Sequence, residues 1–162
     1  MLEVRFDEFV TSVCKWARAT EGADGDAPNG HLMQAIAGLG ALATAVDESR
    51  PEASATAIGR IAVHMISYAE MAGIEIQGAQ PHDLGEADDF AVLYRNIGAF
   101  FSPRPWQPAE RLNVVLHQLE RIAENRGLVF ATCCSKAFDA VRMRVVPAAG
   151  KSDDDAPSRI AA

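Results

Sequence analysis

An all-α bundle of five to six helices is the fold this sequence predicts, and three observations predict it. Apolar residues recur at spacings of three and four along most of the chain, the period of a helix with one buried face. Proline and glycine interrupt those stretches at helix-length intervals, and no alternating apolar–polar run of comparable length competes with them. With 162 residues, 49% of them hydrophobic and 23% charged, the chain has the composition of a globular protein and room for one core or two small fused units.

The first helix is expected over 2–19, where Leu2, Phe6, Phe9, Val13 and Trp16 share a face. Residues 21–30 read as a loop from their Gly, Asp and Pro content. The second helix, about 31–48, carries Leu32, Ile36, Leu39, Leu42 and Val46 on its apolar side. Gly38 and Gly40 lie inside it, each costing about 1 kcal/mol relative to alanine, so close packing is expected to compensate. Ser49-Arg50-Pro51 breaks the pattern, with Pro51 suited to the first turn of a third helix that runs to about Ala72 and is capped by Gly73.

Residues 74–85, with Pro81 and Gly85, read as a connector. A fourth helix is expected near 86–101, with Glu86, Asp88 and Asp89 favouring its N-terminus. Ser102-Pro103-Arg104-Pro105 separates it from a fifth, about 106–126, capped by Gly127. The sixth, about 129–145, holds Phe130, Cys134, Phe138 and Val141 and stops at Pro147. One domain over 1–147 and a disordered tail over 148–162, with its Asp153-Asp154-Asp155 run, complete the expected organisation.

A shift of 54 positions places Arg50-Pro51 on Arg104-Pro105, Ala69-Glu70 on Ala123-Glu124 and Gly73 on Gly127. A duplicated helical hairpin, about 31–74 and 86–128, accounts for this agreement. The other account is that helices in bundles have similar lengths.

Net charge is −7, which disfavours non-specific nucleic-acid binding. No apolar run approaches the roughly 20 residues of a membrane span, and the N-terminus has no signal-peptide pattern, so a cytoplasmic location is expected. Three cysteines, Cys14, Cys133 and Cys134, make neither a disulfide framework nor a zinc-spaced set. The vicinal pair reads either as a redox switch or, as free thiols usually do, as one packed side chain and one at a helix boundary.

Several residue sets invite chemistry. Arg60, His64 and Ser67 fall at i, i+4 and i+7 on one helix face and form a candidate phosphate-binding stripe. The alternative for Arg60 is a solvated side chain, or a salt bridge to Asp47 or Glu48. His117, Glu120 and Glu124 have tolerable metal-ligand spacing, but Arg121 and Arg126 beside them favour ordinary surface ion pairs. Phe100, Phe101 and Trp106 flank the Pro-rich corner as core plugs, or beside Arg104 as a base-stacking or partner surface. No Gly-rich phosphate loop, G-x-S-x-G elbow or H-E-x-x-H motif occurs.

The run Leu32-Met33-Gln34-Ala35-Ile36-Ala37-Gly38-Leu39-Gly40-Ala41-Leu42-Ala43, followed by Ala57-Ile58-Gly59-Arg60 and closed by Ala69-Glu70-Met71-Ala72-Gly73-Ile74, resembles the MazG-like, all-α nucleotide pyrophosphohydrolases. The resemblance covers about residues 6–76 and extends more faintly through the repeat. In that family, two acids on one helix face two on the next. Four such carboxylates would repel one another without divalent cations among them, so the motif implies Mg²⁺. The metal in turn bridges a triphosphate and activates water. The matching positions here are Gly38, Ala41, Ala57 and Arg60, and none is an acid. Their counterparts in the second half are Val92, Arg95, Arg111 and Val114.

The expectation is therefore a catalytically silent MazG-like protein with no catalytic residues, no metal and no cofactor. It would bind a nucleotide or regulate a partner, with Arg60, His64, Ser67, Arg95 and Arg111 as phosphate-binding candidates. A helical assembly protein, self-associating or bound to a helical partner, is the first alternative. An active Mg²⁺-dependent hydrolase using other acids, such as Asp47, Glu48 or Glu70, is the second.

Overall fold

The computed structural model describes residues 2–20, 28–76 and 89–144. Six helices lie among them: α1 (Leu2–Thr20), α2 (Pro28–Asp47), α3 (Pro51–Met71), α4 (Asp89–Ala99), α5 (Pro108–Glu124) and α6 (Phe130–Arg144). No strand occurs among the described residues. Pro81, Gly85, Glu86, Asp88, Pro147 and the tail expected over 148–162 lie outside them.

The core is organised around α3. Thirteen of its residues are buried, including Ile58, Ile61, Met65 and Ile66, so apolar partners surround it on nearly every side. It packs against α1, α2, α5 and α6, while α4 pairs with α5 and touches α2. One continuous apolar cluster takes residues from all six helices, from Val13 in α1 to Phe138 in α6. The aromatic face of α1 closes one side: Phe9 meets Phe138 edge-on at 6.1 Å, and Trp16 meets the same ring at 6.0 Å. No helix among the described residues is long and apolar enough to cross a membrane.

Two helix starts differ from the sequence-based expectation, and proline explains both. Pro28, Asn29 and Gly30 are not loop but the first turn of α2, where a residue lacking an N–H leaves no intrahelical bond unmade. The start of α5 is at Pro108 rather than near residue 106. The residue before a proline is disfavoured in the α region, and Gln107 is left-handed at φ 47°. Because α3 begins at Pro51 itself, α3 and α5 do not start at equivalent positions under the 54-residue shift. Their C-terminal caps do correspond. Gly73 and Gly127 both have φ 66°, a conformation glycine reaches without a Cβ penalty. Ile74 N–H donates to the Ala69 carbonyl at 2.8 Å, and Leu128 N–H to the Ala123 carbonyl at 2.9 Å.

The interior glycines divide. A Cβ at Gly38 would come within 2.7 Å of Ile61 Cγ1, so the α2–α3 contact uses the missing side chain. Gly40 is exposed with nothing within 4 Å, and close packing does not account for it. The tightest crossing lies elsewhere, at Gly59. There a Cβ would lie 2.0 Å from the Cys133 carbonyl oxygen and 2.7 Å from the Ala137 Cβ, so the α3 and α6 backbones are in direct contact. Cys133 and Cys134 are both buried within α6, rather than one of them sitting at a boundary.

Candidate functional site

Antiparallel pairing of α2 with α3 sets His31 against His64 and Gln34 against Arg60. The two imidazoles are buried, with their Nδ1 atoms 2.9 Å apart. At that distance one Nδ1 carries a proton and donates it while the other accepts, so the rings hold complementary tautomers. Trp16 of α1 approaches His31 edge-on, with the ring centres 6.4 Å apart. One helical turn before His64, Arg60 is half-buried, and its Nη2 donates to Gln34 Oε1.

Burial pushes the His64 imidazole down to about 3, and the charges of His31, Arg60 and Arg144 add to the effect. His64 is therefore neutral across the physiological range. Two cations, one on α3 and one at the end of α6, act on the neutral His64 imidazole. The Arg60 and Arg144 guanidiniums give this corner positive charge.

The five phosphate-binding candidates do not converge. Arg60 and His64 come together. Ser67 is fully buried, and its Oγ donates to the Val63 carbonyl at 2.9 Å, so it presents nothing outward. The i, i+4, i+7 face is real, but it turns into the bundle as it runs along α3. Arg95 is exposed on α4. Arg111 is bound to its own corner: Nε donates to the Trp106 carbonyl at 2.9 Å, Nη1 to Asn96 Oδ1 at 3.2 Å, and the guanidinium lies 6.0 Å from the Trp106 ring centre.

The other candidates resolve in the same way. Arg60 takes neither Asp47 nor Glu48; Glu48 pairs with Arg50 at 2.5 Å, and Glu70 pairs with Arg18 of α1. That Arg18 hydrogen bond holds the Glu70 carboxyl below its ordinary value. His117 Nδ1 sits 3.6 Å from Glu120, its Nε2 is buried without a partner, and Glu124 is exposed. Among the described residues no three His, Cys, Asp or Glu side chains are grouped to hold a metal ion. Phe100 is a core plug, stacked edge-on against Tyr68 at 5.5 Å, whereas Phe101 and Trp106 are exposed.

The MazG-like motif positions can be placed individually. Gly38 and Ala57 are buried, Arg60 is half-buried and Ala41 faces solvent. Ile61 already fills the space beside Gly38. Comparison with known proteins finds no matching family model, no matching curated protein and no matching solved structure. The resemblance therefore rests on the motif residues and the order of the helices alone.

Sequence reasoning missed His31, Gln34 and Arg144. The signal for the first two was present, because His31 and Gln34 are three apart at the start of α2 just as Arg60 and His64 are four apart on α3. Pairing them requires the hairpin register, which no local pattern supplies.

Proposed function

We propose that this chain is a non-hydrolysing, MazG-like helical protein that binds a nucleotide through its phosphates at Arg60, or regulates a partner through that site. The observation that carries the reading is the half-buried Arg60 itself. It stands at a position where the resembled enzymes need a metal-binding carboxylate, and its described hydrogen bond goes to a neutral amide rather than to an acid. A guanidinium so placed retains charge and donors for an external anion. The neutral His64 and the cationic Arg144 beside it add no competing negative charge. On this reading neither Mg²⁺ nor another cofactor is required, and the protein works in the cytoplasm.

Thermal shift against a nucleotide panel, with and without Mg²⁺, tests this. Ligand at about 100 times its Kd stabilises by about 2.7 kcal/mol. That stabilisation is expected without metal and is expected to vanish in Arg60→Ala. Pyrophosphate release in Mg²⁺ or Mn²⁺ would instead establish the hydrolase alternative.

A second reading draws on a separate observation. Tyr94, Phe101 and Trp106 are 66%, 48% and 71% exposed on α4 and the corner that follows it. Large exposed aromatics are common at contact surfaces, so self-assembly through the second hairpin is the competing role. Light scattering of the wild type and of Trp106→Ser decides it: an oligomer that the substitution dissociates supports assembly, and a monomer removes it.

A further inference from the structure

The corner between α4 and α5 is aromatic and basic. From Phe90 to Ala109 the chain has no aspartate or glutamate, although it carries 22 in all, and the charged residues of that stretch are Arg95 and Arg104. Both arginines are exposed, as are Tyr94, Phe101 and Trp106 at 66%, 48% and 71%. We infer that this corner docks an acidic segment of another protein, one with an apolar anchor residue among its carboxylates. The inference rests on the second reading above in taking the corner for a contact surface, and differs from it over what is bound.

The surface is shaped for an anchor. Past the end of α4 at Ala99, Phe100 N–H donates to the Ile97 carbonyl at 3.1 Å and Phe101 N–H to the Gly98 carbonyl at 3.2 Å, so the helical course continues to Phe101. Tyr94, Gly98 and Phe101 therefore follow one another at i, i+4 and i+7 along one face. A Cβ at Gly98 would have nothing within 4 Å, so an open notch lies between two exposed rings. Trp106 is exposed yet held in place. The Arg111 guanidinium lies 6.0 Å from its ring centre, Arg111 Nε donates to its carbonyl at 2.9 Å, and Nη1 ties the same side chain to Asn96 of α4. An aromatic fixed beforehand loses little conformational freedom on binding, and Trp, Tyr and Arg carry most of the energy of protein contacts.

Charge selects the occupant. A second copy meeting the corner across a two-fold axis would set Arg95 and Arg104 against the same acid-free stretch, between two chains of net charge −7. A nucleic acid needs a longer basic track than two arginines, on a chain whose overall field repels it. A short acidic segment meets both arginines while its anchor enters the notch, and it brings few enough charges to be held locally.

The test is calorimetry and tryptophan fluorescence of the intact protein with three synthetic peptides of equal length. One is glutamate-rich with leucine and phenylalanine anchors, one replaces its glutamates by lysine, and one is polyglutamate. Saturable binding of the first is expected, with a change in Trp106 emission, together with binding at least tenfold weaker for polyglutamate and none for the lysine peptide. Tyr94→Ser and Trp106→Ser should each weaken binding about tenfold or more, as loss of a contact-dominating aromatic does. Arg95→Gln combined with Arg104→Gln should weaken it and flatten its dependence on salt. All four side chains are exposed, and unchanged helical circular dichroism shows that the variants fold. No saturable binding of the anchored acidic peptide overturns the inference, as do equal binding of the lysine peptide and wild-type salt dependence in the double arginine variant. Tighter binding of a single-stranded oligonucleotide at the same residues also overturns it. A monomer that binds the peptide supports the inference and removes self-assembly. An oligomer that Trp106→Ser dissociates but that ignores the peptide does the opposite.

Discussion

His64 is held far from its ordinary chemistry by burial. Its folded value near 3 lies below the ordinary 6.5, so the unfolded chain takes up the proton first. The stability this neutral imidazole contributes is complete above pH 6.5 and is lost as pH falls from there toward 3. Denaturant melts between pH 6.5 and 5, above the main carboxylate range, should lose up to about 1.4 kcal/mol per pH unit, and His64→Gln should flatten that slope. The thiols give a second expectation at this scale. Burial pushes Cys14 up to about 12 and raises Cys133 and Cys134 as well, so none is a thiolate at neutral pH. A thiol reagent should label the native protein slowly and all three cysteines promptly in urea; rapid native labelling at Cys133 or Cys134 would restore the redox-switch reading.

Among the elements, the contact between α3 and α6 is the least forgiving. Gly59→Ala drives a methyl group into the Cys133 carbonyl, where only a shift of one helix gives relief. It should cost about 3 kcal/mol, at the upper end of overpacking effects. Gly40→Ala on α2 should do the reverse. That position is exposed and helical, with open space around it, so the gain in helix propensity of about 1 kcal/mol is unopposed. A melting temperature raised by about 3 °C is the expected readout. Sequence pattern predicted six helices and the capping roles of Gly73 and Gly127 correctly, because propensity and capping are local properties. It assigned the same compensation to Gly38 and Gly40, and it gave Gly59 no structural role at all. Which glycine meets a neighbouring helix depends on interhelical crossing, and spacing along one helix does not encode that.

For the whole molecule, the continuous cluster that unites residues from all six helices predicts a single cooperative transition. Calorimetry should give equal calorimetric and van't Hoff enthalpies. Two resolved transitions would mean that the hairpins α2–α3 and α4–α5 fold as separate units despite the shared core. Positive charge is also distributed in a way composition conceals: an acidic chain gathers Arg60 and Arg144 around the His64 ring, and Arg95 and Arg104 on one stretch without acids.

The sequence by itself determined the helices, most of their ends, the apolar face of each, and the absence of acids at the MazG-like motif positions. These follow from residue type and from the helical period, both of which are read along the chain. Only the tertiary structure decided that His31 lies against His64, that Ser67 turns inward, that Arg111 is bound to its own corner, and that Tyr94, Phe101 and Trp106 stay uncovered. Each of those facts depends on the register and crossing of helices distant in sequence, and core packing across the bundle sets both.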